Sequence, residues 1–258
     1  YEIRRSRSPS GLETPGILVL TPGFASDAGE LGKLLEARRT LGPTLVILPK
    51  WIASGPPENI PDDAAAKFKR GWVVLADAGA AGWTADLPPP FTLAQNVAHP
   101  ATGPLPRWRG LGQAGTLPTR ARGSVEPDTG HEVLIADEAG GALALLAGTE
   151  PIGDEDSRNF PVLFLAEPDL ANNYGLADPA RAAAALALVR ELDDEGGGRI
   201  TFDLTLNGFG GSENLLTLAF RPPFLAATLC LILALALVFW RALMRFGPAA
   251  SAAPAAAF

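Results

Sequence analysis

Carboxylate and amide side chains concentrate in one stretch of the sequence, residues 167–178, which reads EPDLANNYGLAD. An apolar strand is predicted just before this stretch, over residues 161–166, and an alanine- and leucine-rich helix just after it, over residues 178–192. Because ligands of open α/β sheets bind beyond the carboxyl ends of the strands, this loop is a candidate recognition site. Its predicted binding residues are Glu167, Asp169, Asn172 and Asn173.

The same loop also permits a purely structural interpretation. Asp169 and the two asparagines could satisfy backbone groups of the loop, and Asp178 is a typical N-cap for the following helix. A third interpretation is acid–base chemistry, which would require Glu167 or Asp169 to converge with a second titratable group in a pocket. The sequence leaves these three alternatives open.

No catalytic residue, cofactor or metal site is predicted elsewhere. The sequence contains no phosphate loop, no dinucleotide fingerprint and no serine flanked by glycines as in G-x-S-x-G. The histidines, His99 and His131, lie far apart without an evident partner, and the acidic run at residues 154–156 lacks the spacing of a calcium loop. The single cysteine, Cys230, lies in an apolar run, so the sequence predicts no Cys-based zinc site and no cysteine nucleophile in water.

The charge balance argues against a nucleic-acid partner. The chain has 21 lysines and arginines against 28 acidic residues, which gives a formal net charge of -7. The sequence shows no lysine- or arginine-rich face that could track a phosphate backbone. Nucleic acid is therefore not among the predicted partners.

Residues 221–243 are predicted to form a transmembrane helix, which makes the lipid bilayer a partner. About 19 uncharged positions separate Arg221 from Arg241, and at about 1.5 Å per residue they span roughly 28 Å, close to the thickness of the hydrocarbon layer. Two arginines follow the helix and one closely precedes it, which favours a cytoplasmic C-terminus. The predicted organisation is a soluble domain over residues 1–220, the helix, and the start of a tail over residues 244–258.

Upstream of that helix, short apolar runs alternate with helix-like stretches, which predicts an α/β fold with an open, mostly parallel sheet and helices on both faces. Between about residues 79 and 130 the periodicity fails among recurring prolines and glycines, which predicts a long irregular insertion. A hairpin is predicted over residues 131–147. The predicted strands cover residues 17–20, 44–48, 72–76, 161–166 and 199–206, and the predicted helices cover residues 27–39, 62–69 and 178–192.

Three stretches together resemble a family of uncharacterised bacterial membrane proteins, the DUF4350 proteins, whose soluble part is similar to class I glutamine amidotransferases. The stretches are Leu45-Val-Ile-Leu-Pro-Lys50, the P-D-L-x-N-N-Y-G-L-A-D pattern within residues 167–182, and the pair Arg221-Pro-Pro-Phe224 and Arg245-Phe-Gly-Pro248 around the helix. The resemblance implies an amidotransferase- or flavodoxin-like sheet and an extracytoplasmic soluble domain at the bacterial inner membrane. It also implies a further N-terminal membrane helix and a cytoplasmic tail, so that the sequence is a fragment truncated at both ends.

The resemblance further implies a role in a membrane-associated assembly. Similar genes often lie beside those of MoxR-type AAA+ ATPases and other membrane proteins, which are the expected partners. Amidotransferase-type catalysis uses a cysteine with histidine and glutamate, and the only cysteine here is Cys230 in the membrane helix. The favoured hypothesis is a non-catalytic binding or scaffold domain without a cofactor. The alternative is a hydrolase or transferase that uses carboxylates such as Glu167 and Asp169 at the membrane surface.

Overall fold

The computed structural model describes residues 1–55, 69, 72–150, 159–193, 198–209, 219–220 and 224–245. The chain divides into two compact units, residues 1–210 and residues 211–258, and each is described by itself. The predicted helix at residues 62–69 and the acidic run at residues 154–156 lie outside the described residues, apart from Lys69.

The first unit is a mixed α/β domain built on a large central sheet. Within the described residues this sheet has eleven strands, and two further strands form a separate antiparallel pair. The strands of the large sheet are β1 (Glu2–Ser6), β2 (Ile17–Leu20), β3 (Thr44–Ile47), β6 (Ala94–Ala98), β7 (Arg107–Gly110), β8 (Gln113–Thr116), β9 (Arg122–Glu126), β10 (Glu132–Asp137), β11 (Ala142–Ala147), β12 (Val162–Leu165) and β13 (Arg199–Asp203). The separate pair consists of β4 (Trp51–Ser54) and β5 (Val74–Ala78).

The sheet has a parallel region and an antiparallel region. The parallel strands stand in the order β1-β13-β2-β3-β12. The sheet then continues through β11, β10, β7 and β8 in antiparallel pairings, while β9 joins β11 and β6. The predicted α/β class with a parallel central sheet is confirmed. The predicted hairpin at residues 131–147 is also confirmed, as the antiparallel pair β10 and β11, whereas the strands β6, β7, β8 and β9 were not predicted.

One face of the parallel strands is covered by α1 (Ala28–Leu41). The N-cap of this helix is Asp27, whose side chain accepts a hydrogen bond from the Glu30 backbone N–H at 2.7 Å. Its buried leucines, Leu31 and Leu35, pack in the same core cluster as alternate residues of the strands. Those strand residues are Leu18, Leu20, Val46 and Phe164.

The opposite face is covered by α2 (Pro179–Glu191). Its buried Ala184 and Leu188 belong to a second core cluster, which contains the other set of alternate strand residues. Because successive side chains of a strand point to opposite faces, a strand that is apolar at every position supplies both clusters. The second set includes Ile17, Val19, Leu45, Leu163 and Leu165. The prediction of helices on both faces is confirmed.

The structure of residues 79–130 differs from the predicted irregular insertion, since β6, β7, β8 and β9 all lie in it. Its prolines and glycines lie mainly in the short connections, whereas buried apolar side chains between them join the core. These include Trp83, Leu87, Phe91 and Leu93. Packing therefore outweighs the local turn propensity that suggested irregular structure.

The predicted strand at residues 72–76 also requires a correction. The strand observed there is β5, which pairs antiparallel with β4 in the two-stranded sheet and not with the parallel strands. Apolar side chains of both strands are exposed, with Ile52 at 46% and Leu75 at 38%. A strand inside a parallel sheet is buried on both faces, and this strand pair is not.

The second unit contains a long apolar helix, α3 (Phe224–Arg245). Over the 21 residues Phe224–Met244 it is long and apolar enough to cross a membrane, and none of its most apolar window is buried inside the structure. The predicted transmembrane segment therefore coincides with an observed helix, although length and composition alone do not identify the compartment. Residues 221–223 and 246–258 lie outside the described residues.

Candidate functional site

Two neighbouring parallel strands deliver charged residues to the same edge of the sheet. β3 and β12 pair in parallel, so the chain leaves both of them at their adjacent carboxyl ends. Lys50 follows β3, and Glu167 and Asp169 follow β12. The Lys50 Nζ lies 2.5 Å from Glu167 Oε1 and 2.8 Å from Asp169 Oδ2, and all three side chains are completely buried. We refer to these three residues as the Lys50 cluster.

The ammonium group of Lys50 has no spare donor in this arrangement. Its third hydrogen bond goes to the Ala121 carbonyl oxygen at 3.1 Å. An ammonium group has three N–H donors, and all three therefore meet a buried acceptor. The Nζ also lies 4.7 Å from the centre of the Trp51 ring, where the aromatic face favours a cation.

The carboxylates of Glu167 and Asp169 also accept hydrogen bonds from other protein groups. Glu167 Oε2 accepts from the Gly123 backbone N–H at 2.8 Å, and Glu167 Oε1 accepts from the Asp169 N–H at 3.0 Å. Asp169 Oδ1 accepts from Trp51 Nε1 at 2.8 Å and from Asn172 Nδ2 at 2.7 Å. Each carboxylate oxygen of the cluster thus has at least one protein donor.

The network continues into the loop that follows the cluster. Asn172 Oδ1 accepts from the Gly175 backbone N–H at 2.8 Å, which fixes both ends of the Asn172 amide. Gly175 allows this close approach because a Cβ there would lie 1.4 Å from the Asp169 carbonyl oxygen. At the end of the loop, Asp178 accepts from Ala180 N at 3.0 Å and from Arg181 N at 3.2 Å, which confirms it as the N-cap of α2.

Burial of the cluster changes the pKa of Glu167. The pKa of Glu167 is raised to about 7, with desolvation as the largest cause. The charge of Lys50 and the hydrogen bonds from Lys50 and Gly123 lower it, and the charge of Asp169 raises it. One cation therefore serves two carboxylates in a site without water contact, so the fully ionised cluster carries an excess negative charge. A proton on Glu167 would remove that excess.

The structure brings together three of the four predicted binding residues. Glu167, Asp169 and Asn172 form one network, whereas Asn173 is exposed on the outer side of the same loop. Lys50 and Trp51 complete the network and were not among the predicted site residues. The signal that could have found Lys50 is its position directly after a buried strand, in the sequence LVILPK, at the same edge as the loop after residues 161–166.

The histidines do not join the Lys50 cluster. His99 packs edge-on against the Trp51 ring, with 6.1 Å between ring centres, and its Nδ1 lies 3.7 Å from Asp77 Oδ1 on the exposed surface. His131 Nδ1 lies 3.4 Å from Asp128 Oδ1 within its own turn. In the part of the chain that the structure describes, no group of three or more His, Cys, Asp or Glu residues could hold a metal ion.

Two cavities of the described structure lie away from the Lys50 cluster. One of about 320 Å³ is lined by residues at the amino ends of β2, β3 and β13, including Ile17, Pro43 and Arg199. Another of about 400 Å³ lies beside β1. Neither is lined by Lys50, Glu167 or Asp169, so neither cavity gives a small molecule access to the cluster.

The arrangement is suited to holding a loop in place more than to acting on a substrate. A general acid or base must come within hydrogen-bonding reach of the proton that it transfers, and here both carboxylates are enclosed by protein donors. Comparison with known proteins matched no family model, no curated protein and no solved structure.

Proposed function

We propose that this chain is a membrane-anchored, non-catalytic domain of the amidotransferase-like kind, which binds or scaffolds other components of a membrane-associated assembly. The observation that carries the proposal is the closed Lys50 cluster, in which buried charges are satisfied by one another and by the loop they hold. A closed, buried network supports a role in shaping a surface. The chain's only cysteine, Cys230, lies in the apolar helix, which argues against a thiol nucleophile.

The surface shaped by the Lys50 cluster is the outer side of the loop. Asn173 is exposed there, and Tyr174 and Leu176 are 48% and 42% exposed. Aromatic side chains such as that of Tyr174 are frequent anchors of protein interfaces, and a rigid base lowers the conformational entropy lost on binding. We refer to these three residues as the loop surface, and in this proposal they contact the partner.

The proposed setting combines α3 with the resemblance to the DUF4350 proteins. An apolar helix of this length supports anchoring in a bilayer, here the bacterial inner membrane with the first unit on its extracytoplasmic side. The partner of the loop surface would then be another membrane protein with a domain on that side. A MoxR-type AAA+ ATPase system would belong to the same assembly and act from the cytoplasm, where ATP is available.

Site-specific photo-crosslinking tests the loop surface. A benzoylphenylalanine introduced at Tyr174 in the full chain, expressed in bacterial membranes, is expected to give a discrete crosslinked product with a second protein. The matched control carries the same group at Leu186, which is 44% exposed on α2 outside the loop. The group is also placed at Asn173 and at Leu176 in separate proteins. If none of the three loop positions gives a crosslinked product, or if Leu186 gives the same product as Tyr174, the proposal is contradicted.

One observation favours the alternative of a carboxylate-dependent hydrolase or transferase. The pKa of Glu167 is raised to about 7 by burial, which is the range that suits a general acid or base at neutral pH. Catalysis would require the segments around Ala121 and Asn172 to open, because both contribute hydrogen bonds that enclose the cluster. The test is hydrolysis of nitrophenyl ester and phosphate probes, where turnover by the wild type that is lost in a folded Glu167→Gln variant would favour this alternative.

A further inference from the structure

A second concentration of charge lies at the opposite end of the parallel strand order, on the edge strand β1. The sequence there reads EIRRSRS, which places Arg4, Arg5 and Arg7 within four positions of one another. Arg199, at the start of the neighbouring strand β13, adds a fourth guanidinium from a distant part of the sequence. The chain as a whole has a net charge of -7, so these four arginines form a positively charged region on an otherwise acidic protein.

These four arginines line one cavity of about 400 Å³, which we call the arginine cavity. Serine residues of the following segment also line it, and so does Glu13. All of its lining residues are in the described part of the chain. Within that part, no ion pair involves Arg5 or Arg7, so the positive charge of the cavity is not cancelled internally.

Two of the arginines pair with one carboxylate. Arg4 Nη2 lies 2.7 Å from Glu2 Oε1, and Arg199 Nε lies 3.2 Å from Glu2 Oε2. Hydrogen bonds from Arg4 and then from Arg199 lower the pKa of Glu2, so this carboxylate stays ionised beside both guanidiniums. Since one negative charge is shared between two cations, the pair retains a net positive charge and unused N–H donors.

Thr201 lines the arginine cavity, is 3% exposed, and lies directly across from Arg4 in the register of β1 and β13. Its Oγ1 is buried and has no hydrogen-bond partner among the described residues. Because that oxygen is closed to solvent, a ligand in the cavity would contact the exposed lining groups instead, which are the guanidiniums and the hydroxyls of Ser8 and Ser10.

We propose that the arginine cavity binds a phosphate group, carried either by a soluble phosphate ester or by the headgroup of an anionic phospholipid. Guanidinium groups match the oxygen atoms of a phosphate in fork geometry. A cavity of about 400 Å³ exceeds a bare phosphate ion and leaves room for the group attached to it. The site is separate from the loop surface, so this inference stands or falls independently of the proposed function.

Binding of two probes to the purified full chain tests the proposal. Inorganic phosphate is titrated by calorimetry into the protein in a neutral detergent at low ionic strength. In parallel, the protein is mixed with micelles that contain phosphatidylglycerol, with micelles that contain the zwitterionic phosphatidylcholine as the comparison of zero net charge. Saturable binding of inorganic phosphate identifies a soluble ester as the ligand class, whereas binding of phosphatidylglycerol alone identifies the lipid headgroup. Either result supports the shared chemistry.

Variants assign the binding to this cavity. Arg4→Gln combined with Arg199→Gln is expected to weaken binding at least about tenfold, since two charge-assisted contacts are lost. The matched control is Arg107→Gln with Arg109→Gln, two exposed arginines of β7 outside the cavity. Failure of the wild type to bind both probes, or equal losses in the cavity and control pairs, would overturn the proposal.

Discussion

Lys50 Nζ lies 2.5 Å from Glu167 Oε1 although the two residues are 117 positions apart in the chain. The contact forms because β3 and β12, which precede them, are adjacent parallel strands. Both side chains are completely buried, so the pair has been removed from water at a considerable desolvation cost. Such a pair stabilises the fold only as long as each partner is present.

Replacement of Lys50 tests this dependence. Lys50→Met leaves Glu167 and Asp169 buried without a cation and is expected to destabilise the first unit by roughly 3–5 kcal/mol. The measurement is denaturant unfolding of the full chain in detergent, followed by tryptophan fluorescence, to which Trp51 beside the cluster contributes. The control is Lys33→Met on the exposed side of α1, where a change within about 0.5 kcal/mol is expected. Equal stability of the two variants would contradict the prediction.

The elements around the Lys50 cluster were predictable because their signals are local. Continuous apolar runs mark β2, β3 and β12 as strands buried on both faces, and Asp178 before an alanine-rich segment marks the start of α2. The sequence order of strand, helix and strand then implies parallel pairing and a loop at the carboxyl edge. This much of the site, including Glu167, Asp169 and Asn172, follows from pattern.

The remaining parts depend on contacts between distant segments. A lysine after a strand is usually solvated, so only the pairing of β3 with β12 reveals that Lys50 is buried. Likewise, β7 pairs with β10 across a long stretch of chain rich in turn residues, and local periodicity carries no information about that partner. The sequence alone leaves Glu167 and Asp169 open as ligands or catalytic groups for the same reason: their cation lies far away in sequence.

A buried arginine offers a second test of the first unit. Arg38 of α1 is 1% exposed, and burial lowers its pKa to about 10. Its guanidinium donates to the carbonyl oxygens of Leu12, Thr14, Gly16 and Pro43 and to Thr44 Oγ1. It therefore fastens the segment before β2 and the turn before β3 to the helix.

Arg38→Met is expected to destabilise the first unit by more than about 2 kcal/mol, because several buried carbonyl groups lose their donor at once. Arg38→Lys is expected to restore only a part of this, since an ammonium group has three donors and lacks the planar fork. Thermal unfolding by circular dichroism measures both. Arg107→Met, at an exposed position of β7, is the control. Full recovery of stability in Arg38→Lys would show that charge alone, without the fork geometry, is sufficient.

The apolar helix α3 makes a prediction about membrane association. The full chain is expected to remain with the membrane fraction after an alkaline carbonate wash, because α3 is long and apolar enough to span the bilayer. Leu233→Arg near its centre should cost about 2.5 to 3.5 kcal/mol of insertion free energy and shift protein toward the soluble fraction. Leu105→Arg, at a position of the first unit that is 43% exposed, should not. Release of the wild type by carbonate would refute the anchor.

The pH dependence of stability tests the electrostatics of the Lys50 cluster. The pKa of Glu167 is raised from 4.5 to about 7 in the folded chain, with burial as the largest cause. Between these two values the folded state holds a proton that the unfolded state has lost, so unfolding releases a proton. The contribution of Glu167 to stability is therefore fully present below about pH 4.5 and is lost as the pH rises through about 7.

Glu167→Gln should remove this dependence, since an amide keeps the shape of the protonated carboxyl and does not titrate. The melting temperature of the wild type is expected to fall more steeply than that of Glu167→Gln between about pH 4.5 and about pH 7. Carboxylates with a lowered pKa, such as Glu2, contribute with the opposite sign, but they are present in both proteins and cancel in the comparison. Glu132→Gln, an exposed position on β10, should retain the wild-type slope. Parallel pH profiles for wild type and Glu167→Gln would mean that Glu167 does not hold its proton in the folded state.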